Sequence, residues 1–157
     1  SKKDIVADPG DYPIYSSAAL NNGEFGRYGS FMFDEEMVTW SVDGGGHFFY
    51  RERHRFSVTN VGGWIRVLRP DKVRARYLHA ALDLLHSRLT FDWTQKAHSS
   101  VIRRVYSAVL IPQIYEQDRF VQAADLADRN RADLGAHLAQ LDTLFAALQQ
   151  RAFRGEL

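Results

Sequence analysis

Leu134-Gly-Ala-His-Leu-Ala-Gln-Leu-Asp-Thr-Leu-Phe-Ala-Ala-Leu148 lies inside a longer stretch, Glu116 to Leu157, that reads as one helix with a heptad seam. Steps of four and three from Phe120 reach Ala124, Ala127, Arg131, Leu134, Leu138, Leu141, Phe145, Leu148 and Ala152. Arg131 is the single charged residue in that series, and no proline interrupts it. A seam of this spacing is what two helices need to pack side by side. A helix from Glu116 to about Ala152 spans roughly 55 Å, whereas the rest of the chain makes a domain about 30 Å across. The helix is therefore expected to project and to find a partner through Leu134, Leu138, Leu141, Phe145 and Leu148. The competing expectation is a helix that packs on its own domain.

The expected class is α+β: a sheet-rich domain over residues 1–112 and the long helix over 113–157. A chain of 157 residues suffices for one core plus such an appended element. The apolar (45%) and charged (25%) fractions are those of an ordinary soluble globular protein. No run of about eighteen apolar residues is present, and Ser1-Lys-Lys-Asp4 lacks a signal-peptide pattern. Ser1 in place of an initiator Met points to a processed or truncated chain. Absence of cysteine excludes disulfides and thiolate metal sites and agrees with a cytoplasmic location. Charge is unevenly spread: residues 1–43 carry about −5, residues 44–104 about +8 and residues 105–157 −2. A basic segment inside a nearly neutral chain is a footprint that phosphates select.

Ile5-Val6-Ala7 is a candidate edge strand, and Asp8-Pro-Gly-Asp11 a turn. Tyr12-Pro-Ile-Tyr-Ser16 reads as a strand, with Pro13 at its start or on an edge. After the turn at Asn21-Asn-Gly-Glu24, strands are expected around Tyr28–Phe33 and Met37–Val42. The latter alternates Met37, Thr39 and Ser41 against Val38, Trp40 and Val42, as a half-buried strand does. Asp43-Gly-Gly-Gly46 is glycine-rich but leads into the strand His47-Phe-Phe-Tyr50 rather than a helix. A turn is therefore expected there, not a phosphate-binding loop. Arg51, Arg53 and Arg55 would share one face of extended backbone. Strands Phe56–Thr59 and Trp64–Leu68 follow. A helix capped by Asp71 comes next, with a buried stripe Val73, Tyr77, Ala81, Leu84 and Leu85 reaching about Arg88. Leu89–Trp93 is ambiguous, and Tyr106–Ile111 reads as a final strand.

Catalytic constellations are missing. There is no Gly-x-Ser-x-Gly elbow, no His-Glu-x-x-His zinc helix, and no Asn/Asp-Pro-Pro-Tyr pattern of an adenine methyltransferase. His79 and His86 lie on roughly one face, and they read as surface or core histidines rather than metal ligands. Glu35/Glu36 and Asp125/Asp128 read as a turn and a solvated helix face. Binding chemistry is better represented, because Lys and Arg neutralise phosphates while small polar residues fix register. Three segments have that composition: Ser16–Tyr28, Gly44–Arg55 and Thr94–Arg104. They make Ser16, Ser17, Asn21, Arg27, Tyr28, His47, Arg51, Arg53, Arg55, Lys96, His98, Ser99, Ser100, Arg103 and Arg104 the candidate DNA contacts. Of the two cationic clusters, Lys96–Arg104 is expected to matter more.

The tail Leu144-Phe-Ala-Ala-Leu-Gln-Gln-Arg-Ala-Phe-Arg-Gly-Glu-Leu157 resembles the C-terminal end of the specificity subunit of type I restriction–modification systems. Leu110-Ile-Pro-Gln-Ile-Tyr-Glu-Gln117 is similar to that family's turn into a helical region. Tyr12-Pro-Ile-Tyr-Ser16 and Phe56-Ser-Val-Thr-Asn60 resemble segments of its target recognition domains. The resemblance implies a noncatalytic subunit in which two recognition domains, joined by two antiparallel helices, each read half of a split double-stranded target. Such a subunit directs modification subunits, which methylate adenine with S-adenosylmethionine, and an ATP-driven restriction subunit. No cofactor of its own is implied. This chain would be one domain plus one helix, pairing with itself or with a second half, although the family's lead-in before Tyr12 is shortened or absent. The alternative is a protein-interaction module that acts through its coiled-coil helix and binds no DNA.

Overall fold

The computed structural model describes residues 7–17, 20–43, 46–89 and 96–155. The chain divides into two compact units, Ser1–Gln117 and Asp118–Leu157. The first is built on five strands: β1 (Tyr12–Tyr15), β2 (Glu24–Tyr28), β3 (Phe33–Ser41), β4 (Phe48–Val58) and β5 (Gly62–Ile65). Their order is β2-β1-β4-β3-β5, with β1 and β4 parallel and every other pair antiparallel. Helices α1 (Ala75–Arg88) and α2 (Ser99–Val105) follow, and α3 (Ile114–Phe153) starts in the first unit and makes up most of the second. The class is α+β, a sheet-rich domain followed by a long helix, as expected.

Both faces of the sheet are packed. On one, Val38, Trp40, Val42 and Phe48 meet Leu82 of α1, then Ala97, Ile102 and Tyr106. On the other, Tyr15, Phe33, Met37, Phe56 and Val58 form a second cluster. Burying each such large side chain contributes about 1.5–3 kcal/mol. The segment after α1 is pinned by Ala97, whose N–H bonds to Val42 O at 2.8 Å and whose carbonyl accepts from Trp40 Nε1 at 2.7 Å. Gly63 lies against the same indole: a Cβ there would sit 1.9 Å from Trp40 Cε2.

Burial on both sides corrects the half-buried reading of β3, since Met37, Val38, Thr39, Trp40 and Ser41 are all buried. It also bears on β4. The β3–β4 register slips between Glu35/His54 and Met37/Arg51, so β4 spends three residues where β3 spends two. An extra residue inverts side-chain parity along the strand. Arg51 therefore shares a side with His54 and Phe56, and the expected arginine ladder is broken: Arg51 is 1% exposed while Arg53 and Arg55 face solvent.

Several element assignments change. The expected Tyr28–Phe33 strand is instead the end of β2 and a bend, where Gly29 N–H bonds to Asp8 O and Gly29 packs against Gly10. Strand β1 is interior, with Pro13 near its start, ahead of the two residues that pair with β4. Strand β5 is Gly62–Ile65 rather than Trp64–Leu68. Asp71 does not cap α1; it pairs with Arg69 at 2.8 Å, and Arg74 stands at the N-cap. The α1 stripe is Ala75, Leu78, Leu82 and Leu85, in steps of three and four; Leu84 falls off that face and is exposed, and Val73 lies before the helix. Tyr106–Ile111 is not a strand: Tyr106 closes α2, with its N–H on Ile102 O, and its ring packs on Phe48. The expectations for Ile5-Val6 and for Thr90–Trp93 fall outside the described residues.

The first turn of α3 is held from inside the domain by Gln117, which is fully buried. Its Oε1 accepts from Arg74 N–H at 2.9 Å, and its Nε2 donates to Lys72 O (2.9 Å) and Pro112 O (2.8 Å). Along the second unit, Leu134, Leu138, Leu141, Phe145 and Leu148 are 41–68% exposed.

Candidate nucleic-acid interface

The β1–β2 connection brings together the first group of candidates. Ser16 N–H bonds to Gly23 O at 2.9 Å, and Ser16 Oγ accepts from Thr59 Oγ1 at 3.0 Å. Ser17 is half-buried, and Asn21 is exposed with a left-handed φ of 52°. Arg27 on β2 is exposed; it donates to Glu24 and to Asp11 O, both at 3.1 Å, and Tyr28 is half-buried beside it. A cleft of about 580 Å³ opens here, lined by Tyr15, Asn22, Glu24, Arg27, Arg51 and His54 among others.

Arg51 forms the buried edge of this cleft rather than a solvent-facing contact. Its Nε donates to Thr39 Oγ1 (2.9 Å) and its Nη2 to Asn22 O (2.7 Å), while the guanidinium lies 3.5 Å from the Tyr15 ring centroid. Burial away from water lowers its pKa to about 10. No carboxylate lies within ion-pair distance of it among the described residues. Arg53 and Arg55 remain exposed and share Asp34 at 3.5 and 3.4 Å. Arg55 also stacks on Phe31 and Tyr12. Deeper on β4, Tyr50 donates to Glu36, and burial holds its hydroxyl well above the ordinary phenol range.

The third group spans α2 and the three residues that lead into it. Lys96 approaches Asp43 at 3.4 Å, and His98 stands at the N-cap of the helix. His98, Ser99, Ser100, Arg103 and Arg104 are all exposed, and neither arginine has an ion pair among the described residues. His47 is half-buried, its ring against that of His86, which in turn bonds to the Tyr106 hydroxyl. Asp34 and Asp43, the acidic neighbours of the two cationic clusters, are nine residues apart along β3 and its exit, or roughly 30 Å. The candidates thus fall in separate patches.

Two residues that composition did not single out stand out in the geometry. Asn22 has the signature of a left-handed turn in Asn-Asn-Gly, but nothing local announces that its carbonyl is held by Arg51. Gln117 looks like a surface residue in a helix-forming run, and only its three partners reveal its role. Among the described residues no group of three or more His, Asp or Glu can hold a metal, and no helix is long and apolar enough to cross a membrane.

The model of the family described as the type I restriction modification DNA specificity domain matches residues 1–131. The chain belongs to that family. Relatives of this specificity domain occur in Mycoplasma pneumoniae. A protein named as a type I specificity subunit N-terminus, S.MpnORF289P, is 43% identical over 86 residues, 54% of this chain and 45% of the relative. Another, S.MpnORF285P, is 35% identical over 86 residues, 54% of this chain and 28% of its own length. The specificity subunit of the type I restriction enzyme MpnII is 34% identical over 85 residues, 54% and 25% respectively. The matched part therefore spans less than half of each relative. No solved structure matches the chain.

Proposed function

We propose that this specificity domain reads one half of a bipartite double-stranded DNA target and directs the methyltransferase and restriction subunits of a type I restriction–modification complex. The observation that carries this reading is the family match over residues 1–131, which takes in the whole sheet and the first turns of α3. The division of labour follows: residues 1–112 contact DNA, and residues 113–157 pair with a second helix, from another copy or from a second half of the subunit. Catalysis, S-adenosylmethionine and ATP belong to the partner subunits, and the setting is the cytoplasm.

Exposed cations support the reading. Arg53, Arg55, Lys96, Arg103 and Arg104 face solvent on the sheet domain and can neutralise phosphates. Titration with duplex DNA at two salt concentrations tests it. The expected result is an affinity that falls steeply with salt, with no methyl transfer from S-adenosylmethionine by the chain alone. Absence of salt-dependent binding would favour the interaction-module reading, to which the exposed seam from Leu134 to Leu148 gives independent support.

A further inference from the structure

Arg51 presents a question that DNA binding by exposed cations leaves unanswered. A guanidinium 1% exposed, without a carboxylate partner among the described residues, is costly to bury, and an apolar side chain would fill the same space. Its Nη1 is buried and has no hydrogen-bond partner among the described residues. Besides Thr39 Oγ1 and the Tyr15 ring, which are side chains of the sheet, the guanidinium holds one loop carbonyl, Asn22 O, at 2.7 Å.

That carbonyl belongs to an unusual turn. Asn21, Asn22 and Gly23 are consecutive left-handed residues, with φ of 52°, 52° and 75°. L side chains avoid this region, and Asn tolerates it best after glycine. The turn is closed by Gly23 N–H on Leu20 O and by Ser16 N–H on Gly23 O, both at 2.9 Å. Gly23 is buried, whereas Asn21 and Asn22 are exposed, and neither side-chain amide has a partner among the described residues. Backbone polar groups are thus spent inward and two carboxamides are presented outward on a clamped frame. Leu20, immediately before them, is 83% exposed.

We propose that the Asn21-Asn22 turn is a base-reading element for an A·T pair in the major groove, with Asn22 contacting the adenine and Arg51 its positioning residue. A carboxamide offers one donor and one acceptor side by side, which match adenine N7 and N6–H₂; an adjacent apolar side chain suits the thymine methyl. Fixing the amide through its own backbone carbonyl restricts the orientations it can sample, as base discrimination requires. Arg51 acts through the turn and touches no base. This inference rests on the DNA-reading proposal above.

The test is selection of half-sites from a randomised duplex pool by the parent chain and by Asn21→Gly, Asn22→Gly, Arg51→Met and Arg51→Lys. Glycine is chosen because it keeps the left-handed turn while removing the amide. The parent is expected to select a half-site with an adenine whose replacement lowers affinity about ten-fold, within the range of a bidentate pair. In Asn22→Gly and Arg51→Met that discrimination should vanish at this one position and persist at the others. A duplex carrying 7-deazaadenine there, which lacks N7, should weaken the parent and leave Asn22→Gly indifferent. If Asn22→Gly selects the parent half-site with undiminished adenine preference, Asn22 does not read the base and the proposal fails, whatever Asn21→Gly does. The same outcome in both Arg51 variants, checked for cooperative unfolding, removes its positioning role. If the parent selects no sequence at all, the DNA-reading proposal fails first and takes this one with it.

Discussion

At the scale of single residues, burial works against the charged form of Arg51 and of two histidines alike. Arg51→Ala should cost about 2–5 kcal/mol in urea melts, as large-to-small changes at buried sites do. Arg51→Met keeps most of the volume and removes a desolvated charge, so it should stay within about 1.5 kcal/mol of the parent. A methionine variant as unstable as the alanine one would show that the fold depends on the guanidinium's bonds rather than on its bulk. His79, which bonds to Phe48 O, and His86 are both held below the ordinary imidazole value of 6.5, chiefly by burial. With the folded pKa depressed, the unfolded chain takes up the proton first as acid is added. Stability should be full above pH 6.5 and fall as pH drops through the folded values. Urea midpoints measured between about pH 7.5 and 5 should decline, and less so in His79→Gln; a flat profile in the parent would contradict this.

At the scale of elements, the two cationic clusters are not equivalent. Arg53 and Arg55 are tied to Asp34, whereas Arg103 and Arg104 on α2 lack ion pairs among the described residues. Lys96→Ala with Arg103→Ala and Arg104→Ala should flatten the salt dependence of duplex binding by about one per cation. Arg53→Ala with Arg55→Ala should do less, and equal salt slopes in both variants and the parent would show that neither patch meets the phosphates. These elements also show what the sequence could disclose. Heptad spacing, a periodic signal along the chain, announced α3, while alternation announced a strand within β3 but not its burial on both faces. The parity of β4 was illegible: one extra residue opposite Glu36 sends Arg51 inward, and no local composition marks it. Tyr106–Ile111 has a strand's composition, yet the ring of Tyr106 is used at the end of α2 against Phe48. Gln117 was legible as part of a motif and not as a buried ligand of three backbone groups.

At the scale of the whole molecule, the second unit exposes apolar side chains at four-and-three spacing, and each buried in a helix pair contributes about 1.5–3 kcal/mol. The chain should sediment as a dimer at micromolar concentration, and Leu138→Asp with Leu141→Asp as a monomer with the parent's sheet spectrum. An unchanged mass in the double variant would show that association, if any, lies elsewhere. The sheet order carries a further consequence, for how the chain acquires its shape. Strand β1 joins the remaining strands through Ile14 and Tyr15 against Ser57 and Val58, partners 43 residues further along. The β1–β2 hairpin leaves the ribosome before β4 and lacks that strand's edge to dock on until β4 has been made. Contacts so distant in sequence slow folding, because a loop must close before they contribute. Until it does, the waiting side of β4 is an open strand edge, and newly made chains should be most prone to aggregate in that interval.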